Sequence, residues 1–153
     1  MNWPDDVLCI ILSVVLGGAI GLERQLRGKA AGLRTNVLIC LGATVFTMIS
    51  RQMGGGQEAS LTRIAAGVVT GVGFLGAGAI IREAKGVHGL TTAATIWLVA
   101  SIGMACGARL YILAILSTCI AMVVLIGLAE LEKHLGRFRK RDESESFSKE
   151  DNE

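Results

Sequence analysis

Two short polar stretches concentrate this chain's chemistry, and each abuts long apolar sequence. The first is Gly21-Leu22-Glu23-Arg24-Gln25-Leu26-Arg27-Gly28-Lys29-Ala30-Ala31-Gly32-Leu33-Arg34-Thr35. Glu23 stands there among four cations, Arg24, Arg27, Lys29 and Arg34. A carboxylate ending one helix and an arginine starting the next can pair across the base of a hairpin. Glu23 and Arg34 are so placed, with Arg82 and Glu83 as alternative partners. Arg24, Arg27 and Lys29 also suit anionic head groups, at about 1 kcal/mol per basic residue near a membrane surface. The stretch reads either as a topology and lipid anchor or as a ligand or partner site at the mouth of a bundle.

The second stretch is Arg82-Glu83-Ala84-Lys85-Gly86-Val87-His88-Gly89-Leu90-Thr91-Thr92, with Thr95 one turn further on. Thr91, Thr92 and Thr95 lie along one end of a helix. Their hydroxyls either bond back to helix carbonyls or add polar groups to the collar. His88 beside a membrane has the chemistry of a pH sensor, though a lone histidine needs no such role. Cys9, Cys40, Cys106 and Cys119 all fall in apolar segments without metal-ligand spacing, and read as small packing residues. No phosphate loop, metal triad or nucleophile elbow occurs. The sequence therefore predicts no enzyme, no cofactor, no metal site and no nucleic-acid partner.

Apolar elements must hold these collars. Hydrophobic residues are 52% and charged residues 18%, below the roughly 25% charge of a soluble domain. The charges cluster, leaving five uncharged runs: Val7–Leu22, Thr35–Ser50, Ile64–Ile81, Gly89–Ala108 and Leu110–Ala129. A membrane helix needs roughly 17–25 mostly apolar residues. A soluble bundle needs a polar face on every helix, and the last three runs have none. The expected class is an all-α membrane protein with helices over 5–22, 35–50, 63–82, 89–108 and 110–129. Residues 1–129 form the membrane domain. The N-terminus lacks the basic region of a signal peptide, so the first apolar run is expected to be a retained helix.

With five spans, one side carries Arg51, Arg63 and Arg109, and the other carries the remaining 12 of the 15 Lys and Arg residues. Short basic loops stay cytoplasmic. The N-terminus is therefore expected outside, with Asp5 and Asp6, and the C-terminus in the cytoplasm. Beyond the fifth helix, residues 130–141 read as a basic surface helix. Residues 142–153 read as an acidic, disordered tail.

A slide of 57 residues lays Gly21 on Gly78, Gly32-Leu33 on Gly89-Leu90 and Thr35 on Thr92. Each copy is a helix, a basic loop, a Gly-Leu-x-Thr entry and a second helix. The expected architecture is thus two parallel-repeat helical hairpins plus a fifth helix, related by an axis along the membrane normal. The 20 glycines include Gly17-x-x-x-Gly21, Gly67-x-x-x-Gly71 and Gly103-x-x-x-Gly107, with Gly73, Gly76 and Gly78 crowding the third helix. Lipid tails do not push helices together, so close backbone approach must supply contact energy. This predicts a central, surrounded third helix. Packing within one subunit, homo-oligomerisation and a glycine-lined solute path are the readings of these glycines.

Three runs together carry a resemblance: Gly21–Thr35, Gly71-Val72-Gly73-Phe74-Leu75-Gly76-Ala77-Gly78-Ala79-Ile80-Ile81-Arg82, and Gly89-Leu90-Thr91-Thr92-Ala93-Ala94-Thr95-Ile96-Trp97-Leu98-Val99-Ala100. Over residues 7–128 the chain resembles the MgtC/SapB family. The resemblance implies a five-helix bacterial inner-membrane protein linked to magnesium limitation, acid stress and virulence. It also implies action by contact with other membrane proteins, ATP synthase among them, rather than by moving the ion. Some members carry a soluble C-terminal ACT-like domain, and residues 130–153 are expected not to form one. Magnesium wants carboxylate or other oxygen ligands in octahedral array. All 13 acids lie outside the five runs, whereas ion paths usually place ionisable residues within the membrane. A modulator of other membrane proteins is therefore expected, touching anionic lipids at the cytoplasmic face. The alternative is a cation or small-solute transporter, through a carbonyl-lined third helix.

Overall fold

The computed structural model describes residues 3–53, 58–84 and 86–131. Among the described residues five α-helices run in chain order: α1 Trp3–Leu26, α2 Leu33–Met53, α3 Glu58–Gly78, α4 Leu90–Gly107 and α5 Tyr111–Val123. A π-helical turn, Val124–Leu128, follows α5. The class is all-α. Four stretches are long and apolar enough to cross a membrane: Trp3–Leu26, Leu33–Met53, Leu90–Gly107 and Tyr111–Leu131. The apolar part of α3, Thr62–Gly78, is shorter.

Local chemistry sets these ends. Pro4 sits in the first turn of α1, where a missing N–H costs nothing, and Asp5 and Asp6 face the positive end of the helix dipole. At the other end Gly28 takes φ +65°. The Gly28 N–H then donates to the Gln25 carbonyl and the Lys29 N–H to the Arg24 carbonyl, each at 3.0 Å. This bond pair closes a helix around a left-handed residue. The same pair ends α4, with Arg109 N–H to Cys106 O at 3.0 Å and Leu110 N–H to Ala105 O at 2.8 Å. Arg109, at φ +65°, occupies the left-handed position that glycine fills after α1.

α3 stops at Gly78, not at the expected residue 82. Ile81–Glu83 (β1) and Gly86–His88 (β2) form an exposed antiparallel hairpin, pairing Ile81 with His88 and Arg82 with Val87. Four glycines within eight residues weaken the helix end, and Ile80-Ile81 favours extended backbone. Gly86 at φ +142° and Gly89 at φ +90° complete the reversal.

The chain divides into two compact units, residues 1–118 and 119–153. In the first, α2 and α4 form the shared pair: each packs on the other and on both α1 and α3. The expectation of a central third helix is corrected here, because α3 lies at the margin. The reason is visible at the glycines. A Cβ on Gly17 would lie 2.7 Å from Cys40 Cβ, one on Gly21 2.8 Å from Leu33 Cα, and one on Gly107 2.6 Å from the Thr44 carbonyl. Gly103 is tighter still against Cys40. These four bring α1 and α4 onto α2. On α3 only Gly76 has a neighbour within 4 Å, Ala93 on α4, while Gly67, Gly71, Gly73 and Gly78 have none. Thr44 adds an interhelical bond, its Oγ1 lying 2.8 Å from the Gly103 carbonyl. Such bonds contribute about 0.6 kcal/mol on average within a membrane.

The 57-residue slide survives in the backbone. α2 and α4 start at Leu33 and Leu90, and the preceding Gly32 and Gly89 carbonyls accept the N–H groups of Asn36 and Ala93. The connectors differ: the α1–α2 link is a turn, the α3–α4 link a hairpin. In the second unit the described residues, 119–131, are helical throughout. The basic helix and acidic tail expected beyond Leu131 lie outside the described residues.

Candidate functional site

The collar of the first repeat is built on the last turn of α1 and the first of α2. Since α1 continues to Leu26, Glu23 and Arg24 lie in its last turn. Glu23 is 7% exposed and Arg24 3%. Glu23 Oε1 sits 2.6 Å from Arg27 Nε, one helical turn on, and its Oε2 sits 3.5 Å from Arg24 Nε. The expected pairing with Arg34 is corrected: Arg34 is exposed, and no described ion pair joins it to Glu23. A carboxylate four residues before an arginine finds its partner on its own helix. Glu23 and Arg24 are engaged through these ion pairs, whereas Asn36 Oδ1 has no hydrogen-bond partner among the described residues. Buried polar atoms in that condition call for water or a partner group.

Asn36 stands just beyond the first polar stretch. It is fully buried, its Nδ2 donating to the carbonyls of Ala31 and Gly32, both at 2.8 Å. It thereby fixes the turn that carries the collar. Gln25 supports the same turn, its Oε1 accepting the Leu33 N–H at 3.2 Å. Lys29 and Thr35 are exposed, as are Arg82 on β1 and Thr91 at the start of α4. Thr92 and Thr95 are buried, and the Thr95 hydroxyl donates to the Thr91 carbonyl at 2.7 Å. That bond follows the back-bonding alternative. The collar residues are thus divided: Glu23, Arg24, Asn36, Thr92 and Thr95 are buried, while Lys29, Arg34, Thr35, Arg82 and Thr91 face outward.

At the opposite end of the helices stands an ionic clasp that no motif announced. Asp6 Oδ1 lies 2.9 Å from Arg51 and 3.0 Å from Arg109, and Asp5 Oδ2 lies 3.0 Å from Arg109. Arg51 also donates to the Gly107 carbonyl at 2.7 Å. The hydrogen bond that Arg109 donates to Asp6 and the charges of both acids hold the Arg109 guanidinium above its ordinary range. The clasp ties the start of α1 to the end of α2 and the α4–α5 turn. Its sequence signal was the charge count, which put Asp5, Asp6, Arg51 and Arg109 on one side. Beneath it, Cys9 Sγ is 3.4 Å from the Tyr111 hydroxyl. Cys9, Cys40 and Cys106 are buried and free, and Cys119 is exposed.

α3 carries a further exposed surface, one of small residues. Ala66, Thr70, Gly73 and Ala77, spaced four, three and four residues apart, are all exposed. They form one lane of small residues along the helix. Phe74 beside them is 81% exposed.

The MgtC family profile matches residues 10–134. This chain belongs to the MgtC family. It is 47% identical over 128 residues to YhiD of Escherichia coli K12, which is named as a candidate magnesium transporter. That match covers 79% of this chain and 59% of YhiD. It is 47% identical over 116 residues to Protein MgtC of Brucella abortus, covering 76% of this chain and 48% of the relative. Protein MgtC of Salmonella paratyphi A is 42% identical over 139 residues, 91% of this chain and 59% of its own length. The chain thus spans about half to three-fifths of the curated relatives it matches. No solved structure matches. With the spans above, family membership makes this a membrane protein.

Proposed function

We propose that this MgtC-family protein is a non-catalytic modulator of other membrane proteins, engaging them through the bare lane of α3. The observation carrying this reading is that lane. Ala66, Thr70, Gly73 and Ala77 are exposed, and no atom lies within 4 Å of a Cβ built on Gly73. Small residues let another membrane helix approach the backbone closely, which is where contact energy within lipid comes from. A response to magnesium limitation, acid stress or infection of a host is the setting the family suggests, and ATP synthase is one partner of the expected kind. The location is the bacterial inner membrane, N-terminus outside and C-terminus in the cytoplasm, because 12 of 15 basic residues lie on the collar side. Exposed Lys29, Arg34 and Arg82 then meet anionic lipid at the cytoplasmic face. Homo-oligomers through the same lane are a variant of this reading.

The second reading, a magnesium or other cation transporter, has the printed name of YhiD in its favour. Against it stands the lack of any acid in mid-span, since Asp5, Asp6 and Glu23 occupy the end turns of α1 and no other acid falls in 35–50, 64–81, 89–108 or 110–129. Purified protein in vesicles loaded with a magnesium-sensitive dye separates the two. Dye response equal to protein-free vesicles is expected. Influx that scales with protein would replace the modulator reading by transport.

A further inference from the structure

A groove of about 820 Å³ runs between α2 and α3, lined on one side by Leu38, Gly42 and Phe46 and on the other by Gly67, Gly71 and Leu75. It is separate from the small-residue lane of α3. No atom lies within 4 Å of a Cβ built on Gly42, Gly67 or Gly71, so three missing side chains give the groove its depth. The lining is apolar apart from Arg63. Arg63 lies in the second turn of α3, and none of the described ion pairs includes it.

We infer that this groove is a site for a single anionic glycerophospholipid, one acyl chain lying along the glycines and the phosphate at Arg63. Charge points to that occupant, because a guanidinium without an ion pair among the described residues, at the mouth of an apolar slot, suits phosphate. Length points the same way. Twelve helical steps from Arg63 to Leu75 cover roughly 18 Å, close to the roughly 15 Å hydrocarbon depth of one leaflet. A helix crossing the whole bilayer would leave much of its length beyond the groove. A second copy seated by α3 against α3 in the same membrane orientation would set Arg63 against Arg63. The volume falls within the roughly 300–1,000 Å³ of small-molecule sites.

The test uses the full chain in phosphatidylcholine vesicles with a rising fraction of phosphatidylglycerol brominated on its acyl chains. In a Trp3→Phe, Trp97→Phe background, Phe46→Trp reports the groove and Ile112→Trp, on exposed α5 surface, reports ordinary lipid contact. Half-quenching of the groove reporter is expected at a several-fold lower brominated fraction than that of the control. Arg63→Gln and Gly71→Leu should each bring the two curves together. Arg63 is exposed, so its variant folds and carries the test if Gly71→Leu does not. Coincident curves in the unaltered groove would overturn the inference, as would early quenching that survives Arg63→Gln. A groove reporter resistant to quenching, and exposed to it only when protein is diluted in lipid, would assign the groove to a second copy and also overturn it.

Discussion

Glu23 is a buried carboxylate held against Arg24 and Arg27 on one helical turn. Removing its charge leaves two arginines uncompensated, one of them 3% exposed. Breaking a buried pair from one side costs roughly 3–5 kcal/mol. Glu23→Gln should therefore lower thermal stability and activity while leaving insertion intact. Normal melting and function would reduce Glu23 to a residue of the collar's charge count. At the other end, Arg109 holds a left-handed conformation that costs a non-glycine residue about 1–3 kcal/mol. Its two acids supply the reason for tolerating it. Asp6→Lys should loosen the clasp, seen as faster hydrogen exchange at the ends of α1 and α2, and Asp6→Lys with Arg51→Asp should restore part of the protection. No gain in exchange for the single variant would show the clasp to be decorative. Residue types marked both sites in the sequence, since charges gather at helix ends. Partners were not legible: whether Glu23 reaches Arg27 or Arg34 depends on where α1 stops, and Gly28 decides that through its backbone angle.

Among elements, glycines of one type do two jobs. Gly17 and Gly107 sit where a Cβ would come within 2.7 Å and 2.6 Å of α2, so a larger side chain must push helices apart. Overpacking of that kind costs about 1–3 kcal/mol. Gly17→Leu should lower the melting temperature, whereas Gly73→Leu should leave it unchanged or raised, since glycine is the poorer helix former by up to about 1 kcal/mol. Equal losses would mean that α3 is covered after all. The GxxxG spacing appears in α1, α3 and α4 alike, so spacing alone predicted a surrounded α3. What separates them is the facing residue, and that needs the tertiary arrangement. The uncharged runs overlap all five helices of the described residues, with ends up to six residues apart at α3 and α5. The hairpin after Gly78 stayed hidden because its strands are three residues each, too short for an alternating pattern.

For the molecule as a whole, five spans put 12 of the 15 basic residues on one side, an asymmetry expected to set the orientation. Reporter fusions at residues 30 and 145 should fall on the same, cytoplasmic side, and opposite sides would break the five-span topology. The parallel repeat was legible because its Gly-Leu entries start α2 and α4. The open glycines of α3 were not, since a helix whose glycines meet a neighbour and one whose glycines meet none share a composition. The most direct measurement is quantitative copurification of membrane proteins with the unaltered chain and with Gly73→Leu, with melting temperatures taken on both. The predicted result is a loss of partner of about tenfold, the effect of roughly 1.4 kcal/mol, at unchanged stability. Partner yield equal in the two, with the variant folded, would contradict docking on α3.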